Sequence, residues 1–427
     1  MGGGFALGTY RVLWWALSPL VRPVLRNRAL RGKEDTHRLT ERFGNNSLER
    51  PEGRLIWVHG ASVGECLAAL PLVSRLLEKP ERSVLVTSGT VTSARILEQR
   101  LPERAFHQYA PIDRRDVVER FLNTWRPDLA LFFESDLWPN RVVQTRAAGV
   151  PIALVNARLS SRSVRGWRRF PAAARRLFAS IDVCLAQDAR VAEHLKALGA
   201  HTVSVAGSLK ADAPPLPCDQ QELDRLRSAI GDRPLFLAAQ THRGEDEIVL
   251  QAARSICERE PQTLTIIVPR HPDRGGAIAL LAQAQDFTVE RRAMGAQPSP
   301  ETQVYVADTL GELGLFYRLA NTVFLGGSLL PQGGHNPIEP ALLGASVLTG
   351  PHMENFEDTF HALLAAQQNA PITSAAELSE EVLKILADPN IAAERGERAK
   401  AAVSEMAGAL ERTLNAAEEL LSRHART

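Results

Sequence analysis

The feature that most constrains this chain is a repeated alternation of short β-rich runs with amphipathic stretches, which begins near residue 55. The first series of β-rich runs is LIWVHG, SVLVTSG, LALFFES, PIALVNA, DVCLAQ and TVSVAGS, and the second is PLFLAAQ, LTIIVPR, VYVAD, TVFLGGS and SVLTGP. Such alternation is typical of parallel sheets covered by helices. The proline-dense segment KADAPPLPCDQ separates the two series. The sequence therefore predicts an α/β protein with two Rossmann-like lobes in tandem.

The 427 residues divide into five expected regions, because a chain of this length is too long for one ordinary core. We expect an N-terminal membrane-associated region at 1–50, a first Rossmann-like domain at 51–209, a linker at 210–220, a second Rossmann-like domain at 221–375 and C-terminal helices at 376–427. We expect ligands beyond the carboxyl ends of the strands, where open α/β sheets bind them.

Composition limits the kinds of partner. The net charge is +1, so the overall charge does not point to nucleic acid, and an anionic ligand must be held by local clusters of Arg and Lys. The four cysteines have no CxxC spacing, which argues against a zinc site or a disulfide framework and favours the reducing cytosol.

The N-terminal run FALGTYRVLWWALSPLVRPVL is apolar and aromatic, and the basic stretch RNRALRGK follows it. Because it falls short of about 18 uninterrupted apolar residues, a spanning helix and an interfacial helix both stay open. A buried packing helix is the third interpretation. The basic stretch would keep the rest of the chain on the cytoplasmic side of a membrane.

The first lobe offers two candidate sites at strand ends. After LIWVHG, Ser62 and Gly64 begin a helix and form either an anion or hydroxyl site or a tight turn that needs small residues. After LALFFES, Glu134 and Asp136 form a carboxylate pair, for which we expect a site role for Glu134 and a helix N-cap role for Asp136.

A basic patch follows the next strand, in NARLSSRSVRGWRRF, and includes Arg158 and Arg162. These arginines would bind the phosphate groups of a substrate or of membrane lipids, or they form a solvated helix face.

The second lobe supplies candidates for a nucleotide site. VPRHPDR ends a strand, and FLGGSLLPQGGHNPIEP combines two glycine pairs with a helix start that proline marks. Glycine pairs allow close backbone approach, a helix start suits phosphate, and a carboxylate can accept hydrogen bonds from ribose. Alternatively, the glycines only form turns. The candidate donor-binding residues are Pro269, Arg270, His271, Gly327, Ser328, Gly334, Asn336 and Glu339.

Six strings, in order along nearly the whole chain, resemble the Kdo (3-deoxy-D-manno-octulosonic-acid) transferases of lipopolysaccharide synthesis: WVHGASVGE, ESDLWPN, NARLSSRS, AGSLKAD, VPRHPDR and GGSLLPQGGHNPIEP. The resemblance implies the GT-B fold, in which two Rossmann-like lobes face a central cleft, with an acceptor-binding first lobe and a CMP-sugar-binding second lobe. It implies CMP-Kdo as donor, a lipid A precursor as acceptor, no cofactor, and a site at the cytoplasmic face of a bacterial inner membrane, in contact with its lipids.

The resemblance also implies roles for single residues. The string RLTERFGN matches a family motif and makes Glu41 the expected general base, whereas the residues alone favour a surface glutamate paired with an arginine. Lys210 and Glu134 match motifs too, and we expect them to act in catalysis or in positioning the acceptor. Gln240 departs from the serine or threonine expected there, which puts one donor contact in doubt.

The implied reaction inverts the anomeric centre, so the base must lie opposite the departing CMP. Neither lobe carries a DxD pair, and the His and Cys residues lack ligand spacing, which predicts activity without a metal. Two alternatives stay open: a GT-B enzyme that uses a UDP-sugar, and a non-catalytic membrane protein that binds nucleotide sugars.

Overall fold

The computed structural model describes residues 2–46, 48–212 and 215–424, and for residues 2–7, 9, 11–13, 15, 161 and 424 it describes the backbone alone. The chain forms two compact units, Met1–Ala213 with Met406–Thr427, and Pro214–Glu405. They are called unit 1 and unit 2 below. Part of the expected linker, residues 213 and 214, lies outside the described residues.

Unit 1 contains a sheet of seven parallel strands in the order β3-β2-β1-β4-β5-β6-β7. The runs are almost wholly apolar because both faces of a parallel sheet are covered by helices. The strands are β1 Arg54–His59, β2 Arg82–Ser88, β3 Ala105–Tyr109, β4 Leu129–Phe133, β5 Ile152–Ala157, β6 Val183–Ala186 and β7 Val203–Val205.

The helices of unit 1 connect these strands and cover the sheet. In chain order, they are α1 Gly2–Leu30, α2 Val63–Leu76, α3 Val91–Arg100, α4 Arg115–Trp125, α5 Pro139–Ala147, α6 Ser161–Arg168, α7 Pro171–Phe178 and α8 Ala189–Leu198. Helix α1 packs against α7, and a short 3₁₀ helix, Leu39–Phe43, follows it.

Unit 2 contains a second parallel sheet of six strands in the order β10-β11-β9-β8-β12-β13. The strands are β8 Leu235–Thr241, β9 Leu264–Pro269, β10 Val289–Arg291, β11 Val304–Val306, β12 Thr322–Leu325 and β13 Ser346–Thr349. The helices are α9 Gln220–Ile230, α10 Glu245–Arg259, α11 Gly275–Gln283, α12 Leu313–Leu319, α13 Ile338–Leu342, α14 Glu357–Gln367, α15 Ala375–Ala387 and α16 Pro389–Glu405.

The expected C-terminal region, 376–427, is divided between the units. Helix α16 belongs to unit 2, whereas the last helix, α17 Ala409–His424, belongs to unit 1. The reason is burial, because Leu414, Ala417, Leu420 and Leu421 of α17 pack into the same apolar cluster as Leu72 of α2. The chain thus returns to its first unit to complete the core of that unit.

Candidate functional site

Each sheet has a switch point, where the connections leave in opposite directions and a crevice opens at the carboxyl ends of the strands. In unit 1 it lies between β1 and β4, and in unit 2 between β8 and β12. Most of the predicted site residues follow one of these four strands, or β9 beside β8. The strand order thus supports a candidate ligand site in each unit.

The segment after β1 forms a capping box at the start of α2. The Glu65 N–H donates to Ser62 Oγ (3.3 Å), the Ser62 hydroxyl donates to Glu65 Oε1 (2.9 Å), and the Ala61 N–H donates to Glu65 Oε2 (2.7 Å). Ser62 is therefore a helix cap, as the turn interpretation expected, and Gly64 lies in the first turn of α2. The side chain that the cap presents at the switch point is Glu65.

Glu65 is a carboxyl group poised to exchange a proton near neutral pH. Burial raises its pKa to about 7, and the negative charges of Glu134 and Asp136 act in the same direction, against the hydrogen bond from Ala61. A general base works best when its pKa lies near the working pH. Glu65 is not a candidate from the sequence alone, because its spacing from Ser62 indicates only a helix cap.

Glu134 follows β4 on the other side of the switch point. Its backbone has φ of +54°, a left-handed conformation that is strained for a residue other than glycine. Its Oε1 lies 3.6 Å from Nζ of Lys210. Strained backbone at a strand end is common in functional sites, and the structure brings the two predicted residues together.

Asp136 does not cap α5, contrary to the expectation, because its carboxylate is engaged elsewhere. It accepts hydrogen bonds from His59 Nε2 (2.8 Å) and Trp138 Nε1 (2.9 Å), and Arg141 contacts both Asp136 and His59. The free amides at the start of α5, those of Asn140 and Arg141, donate instead to Asp113. The helix start is thus capped by a residue from a different strand end.

Burial and the adjacent Arg141 guanidinium lower the pKa of His59 to about 4, so the imidazole is neutral at pH 7. Burial opposes ionisation of Asp136, but the hydrogen bond from His59, with Arg141 and Trp138, lowers the pKa of Asp136 to about 2. This group is an ion pair between the buried Arg141 and the half-buried Asp136, with a neutral histidine against it.

Glu41 lies in the 3₁₀ helix Leu39–Phe43 and is completely buried. Its Oε1 accepts from Nε of Arg38 (2.8 Å), and its Oε2 accepts from Arg38 Nη2 (3.1 Å) and from the backbone N–H of Tyr109 (2.8 Å). Tyr109 ends β3, which lies two strands from β1. Neighbouring strands are about 4.8 Å apart. The carboxylates of Glu41 and Glu65 therefore lie at different positions along the carboxyl edge of the sheet.

A cavity of about 580 Å³ opens within unit 1 at the strand ends. Trp14, Val24 and Leu25 of α1 form an apolar side. The polar side combines three arginines, three acids and a histidine: Arg28, Arg42, Arg141, Glu34, Asp113, Asp136 and His59. Many of these charges are paired, since Glu34 binds both Arg28 and Arg42. The cavity offers an apolar wall opposite a wall of hydrogen-bonding groups.

Helix α1 contacts this part of unit 1 through polar as well as apolar groups. The Tyr10 hydroxyl donates to Asp113 (2.7 Å). The buried-helix interpretation therefore holds for part of α1, although Leu17, Leu20 and Val24 are more than half exposed. Within the described part of the chain, no helix carries a stretch long and apolar enough to span a bilayer.

The predicted basic patch lies on α6 and the turn that follows it. Arg158 is half-buried, and Arg162 is exposed, as are Arg165 and Arg168. The structure places none of these arginines among the residues that line the unit 1 cavity. Phe170, directly after the patch, is 59% exposed, so cationic and apolar groups lie side by side at the surface.

In unit 2, Glu245 is the buried centre of the switch point. Its Oε2 accepts from the N–H groups of His242 (2.9 Å) and Gly327 (2.6 Å), and its Oε1 accepts from those of Ser328 (3.0 Å) and Leu329 (2.9 Å). The amides of the predicted phosphate turn thus already bind a carboxylate of the protein. Any donor contact here would have to come from other groups.

The predicted residues around Glu245 do come together. Arg270 and His271 follow Pro269, the last residue of β9, and both are exposed. The Arg270 guanidinium has no hydrogen bond or ion pair among the described residues. Asn336 Nδ2 donates to Glu339 Oε1 (3.1 Å), and burial raises the pKa of Glu339, against Asn336 and the positive charge of Arg270. An exposed, unpaired arginine beside a half-buried carboxyl suits an anion that also carries hydroxyl groups.

Two glycines of this turn are needed for space and backbone conformation. Gly327 has φ of +69°, and a Cβ there would lie 3.0 Å from the His335 ring. Gly334 has φ of +74°, and its Cβ would lie 2.2 Å from Met353 Sδ. Gln240, the position that departs from the family pattern, also has a positive φ, and its side-chain amide donates to the Tyr317 hydroxyl (3.2 Å).

Metal ligation has no candidate cluster in the part of the chain that the structure describes. Among those residues, no group of three or more His, Cys, Asp or Glu side chains could hold a metal ion. The four cysteines are free thiols, two of them buried.

Comparison with known proteins identifies the chemistry. The family model "3-Deoxy-D-manno-octulosonic-acid transferase (kdotransferase)" matches residues 37–213. A Haemophilus influenzae 3-deoxy-D-manno-octulosonic acid transferase is 33% identical over 97% of this chain and 99% of its own length. The enzyme of the same name from Bordetella pertussis is 34% identical over 97% of this chain and 99% of its own length.

Solved structures of similar shape share little sequence with this chain and bear on the fold alone. A glycosyltransferase from Rickettsia africae superposes with a TM-score of 0.58 at 12% identity, covering 87% of this chain and 99% of that one. A UDP-GlcNAc 2-epimerase from Neisseria meningitidis gives 0.55 at 13% identity, covering 84% and 100%. They confirm the predicted α/β fold with two parallel sheets.

Proposed function

The chain belongs to the family of 3-deoxy-D-manno-octulosonic-acid (Kdo) transferases, glycosyltransferases that take Kdo from CMP-Kdo in lipopolysaccharide synthesis, and we propose that its acceptor is a lipid A precursor. We further propose that unit 2 binds the donor, that unit 1 binds the acceptor and supplies the general base, and that the enzyme works at the cytoplasmic face of a bacterial inner membrane. The observation that carries the assignment is the full-length similarity to Kdo transferases.

The donor site is the switch point of unit 2. Arg270 is exposed and has no partner among the described side chains, so its guanidinium is available to bind the phosphate of CMP-Kdo. Asn336 and Glu339 offer an amide and a carboxyl to the ribose. The positive charge of Arg270 would stabilise the negative charge that grows on the departing phosphate.

The acceptor site is the cavity of unit 1. Its apolar side, formed by Trp14, Val24 and Leu25, suits the acyl part of a lipid. Its polar side suits sugar hydroxyls and phosphate, because the arginines there are held in place by Glu34 and Asp136. A cavity with an apolar side and a polar side fits an acylated, amphiphilic sugar better than it fits a fully polar sugar.

The base is a choice between two glutamates. The family resemblance selects Glu41, but Glu41 is completely buried and its carboxylate accepts hydrogen bonds from Arg38 and Tyr109. The carboxylate of Glu65 also accepts hydrogen bonds, from Ala61 and Ser62, but it is only half-buried. Glu65 lies at the switch point with a pKa of about 7. We therefore favour Glu65 as the group that takes the proton from the acceptor hydroxyl, and Glu41 as the group that positions Arg38.

The proposed reaction is a single displacement with inversion. The acceptor oxygen bonds to the anomeric carbon of Kdo, its proton passes to the carboxylate of Glu65, and the bond to the phosphate oxygen breaks with both electrons leaving on CMP. Lys210 holds Glu134 beside Glu65, which keeps a second negative charge near the base and favours proton uptake.

The test of the function is transfer itself. Purified protein with CMP-Kdo and a tetra-acylated lipid A precursor should give a Kdo-bearing product, and mass spectrometry counts the Kdo units added. We expect the same rate in excess EDTA. Loss of turnover that magnesium restores would overturn metal independence, and transfer from a UDP-sugar but not from CMP-Kdo would overturn the donor assignment.

The test of the base compares Glu65→Gln with Glu41→Gln. A general base contributes about 10²- to 10⁴-fold to the rate, so Glu65→Gln should lower turnover by that factor with an unchanged melting temperature. Glu41→Gln removes one negative partner of Arg38, which keeps its ion pair with Glu98. It should therefore chiefly lower stability, by about 1–3 kcal/mol. The reverse pattern, with normal stability and lost turnover for Glu41→Gln alone, would return the base to Glu41.

A further inference from the structure

Two histidines that the proposed chemistry leaves unused face each other at the switch point of unit 2. Nε2 of His242 lies 2.9 Å from Nε2 of His335, and the two ring planes are within 8° of parallel. His242 follows β8, and His335 precedes the start of α13. The rings are neither fully buried nor exposed.

A nitrogen-to-nitrogen contact of this length requires one proton between the two rings. One Nε2 must carry hydrogen and donate, while the other accepts through its lone pair. If one ring gains a further proton, the contact becomes an imidazolium that donates to an imidazole, a charge-assisted hydrogen bond. If both rings were charged, two N–H groups would point at each other. The pair can therefore take up one proton but not two.

The surroundings decide when that proton is bound. Burial lowers the pKa of His335 to about 4, and His242, Arg270 and His271 act in the same direction. Burial also lowers the pKa of His242. These effects keep both rings neutral at pH 7. The charged or titratable groups that face the pair are Glu245, Arg270, His271 and Arg274.

We propose that His242 and His335 act as one proton-accepting unit, which takes up a proton when the phosphate of the donor binds beside Arg270. An added negative charge offsets Arg270 and His271, which otherwise oppose protonation, and favours the charged form of the pair. The resulting cation then lies beside the departing phosphate and adds to the stabilisation that Arg270 provides. This inference rests on the proposed donor site of unit 2.

Proton uptake is measured by calorimetry of CMP binding in buffers of different ionisation enthalpy, at pH 7.5 and 8.0. At those pH values free CMP is almost fully ionised, because the second phosphate pKa is about 6. We expect a net uptake of protons on CMP binding that is larger at pH 7.5 than at pH 8.0, because a nearby opposite charge raises the pKa of the pair. Cytidine, which carries no phosphate, should bind without uptake.

The variants His242→Gln and His335→Gln should each abolish most of the uptake and weaken CMP binding, with less effect on cytidine. His361→Gln, which changes an exposed histidine of α14, is the matched control and should behave like the wild type. If a variant does not fold, histidine Cε1–H chemical shifts of the wild type, titrated with and without CMP, give the same answer.

The outcomes separate this inference from the proposed function. CMP binding without proton uptake, or uptake that persists in both glutamine variants, would overturn the histidine unit and leave the donor site standing. No CMP binding by the wild type at millimolar concentration would overturn the donor site itself. Uptake that is lost in either histidine variant but kept in His361→Gln would establish the inference.

Discussion

Glu245 of unit 2 is neutralised in a different way from Glu34, Glu41 and Asp136 of unit 1. In unit 1, buried charges pair with other side chains: Arg38 with Glu41, Arg42 with Glu34, and Arg141 with Asp136. In unit 2, the buried Glu245 is held by four backbone N–H groups. Amides carry no full charge, so Glu245 itself takes up no arginine, although Asp246 and Asp308 of unit 2 pair with Arg274 and Arg291. Arg270 stays available.

This difference fits the two proposed ligands. The donor brings its own phosphate, which needs an unpaired cation. The acceptor is a large amphiphile, for which a rigid wall of paired groups gives shape and hydrogen bonds with little net charge. The following predictions test whether backbone pairing in unit 2 and side-chain pairing in unit 1 have these consequences.

The largest expected effect is on the stability of unit 2. Glu245→Ala leaves four buried amides without an acceptor, and at about 1 kcal/mol or more for each, unit 2 should lose at least about 4 kcal/mol. All six tryptophans lie in unit 1, so tryptophan fluorescence follows unit 1, and the far-ultraviolet circular dichroism follows both.

In Glu245→Ala the dichroism should show an early transition that tryptophan fluorescence does not. Glu247→Ala, an exposed change on the same helix, should shift neither signal. If the dichroism and the tryptophan fluorescence of Glu245→Ala shift to the same lower midpoint, the two units unfold as one. That outcome would contradict the prediction that the loss of stability is confined to unit 2.

A second prediction concerns the cost of removing a donor contact. Glu339→Ala should weaken CMP binding by about 1–3 kcal/mol, the range for a hydrogen bond to a charged group. Isothermal calorimetry of CMP measures it, with Glu380→Ala on the exposed side of α15 as control. An unchanged affinity would remove Glu339 from the ribose site.

How much the sequence could predict depends on where the partners of each residue lie. Strands such as β1 and β9 are apolar runs with local turn signals, and the alternation placed them correctly. β3, with the sequence AFHQY, was missed because His107 and Gln108 interrupt its apolar pattern. These two polar residues can be buried because they are hydrogen-bonded by side chains from other elements, namely Ser88, Arg38 and Trp125.

The candidate sites show the same limit. The family and the α/β fold were predicted correctly, and Arg270 was selected as a candidate because it directly follows a strand. Glu65 and Glu245 were missed, since burial and distant amides create their properties, and neither is visible in local spacing. The base assignment to Glu41 stays a prediction, and the structure adds the reasons to test Glu65 beside it.

A third prediction uses the buried histidine of unit 1. Burial, with Arg38 and Arg42, lowers the pKa of His107 to about 3. Between the pKa of about 6.5 in the unfolded state and the pKa in the folded state, only the unfolded state binds the proton. The free energy of unfolding therefore falls as the pH falls, by about 1.4 kcal/mol per pH unit. Glu65, with its raised pKa, contributes the opposite slope below pH 7, so the wild-type slope is a sum.

The difference between His107→Gln and the wild type isolates this contribution. Denaturant unfolding followed by tryptophan fluorescence at pH 5, 5.5 and 6 should show the variant losing less stability on acidification, by about 1.4 kcal/mol per pH unit. His201→Gln, an exposed change in the same unit, should leave the slope unchanged. Equal slopes for His107→Gln and the wild type would mean that His107 is protonated in the folded state.

A fourth prediction concerns exposed apolar residues, which both units have. In unit 1, Leu20 is 58% exposed on α1, and α1 packs against α7, which begins after Phe170 and the α6 arginines. In unit 2, Met294 is 73% exposed, but the neighbouring Arg292 is paired with Glu312. We propose that only the unit 1 surface binds anionic lipid, because its arginines have charge to offer.

Juxtamembrane arginines contribute about 1 kcal/mol each to binding an anionic surface, so Arg165→Gln with Arg168→Gln should weaken vesicle binding by about 2 kcal/mol, or roughly 30-fold. The assay is co-sedimentation with vesicles of phosphatidylglycerol and phosphatidylethanolamine, at low and at physiological salt, since screening reduces this attraction. Leu20→Gln should also weaken binding, whereas Met294→Gln, the matched change in unit 2, should not. Deleting residues 1–22 would remove the hydrogen bond from Tyr10 to Asp113 and with it a contact of α1 to the rest of unit 1. The substitutions keep this hydrogen bond, so we expect unit 1 to stay folded in each variant. Equal binding by all variants would mean that neither the α6 arginines with Leu20 nor Met294 accounts for membrane attachment.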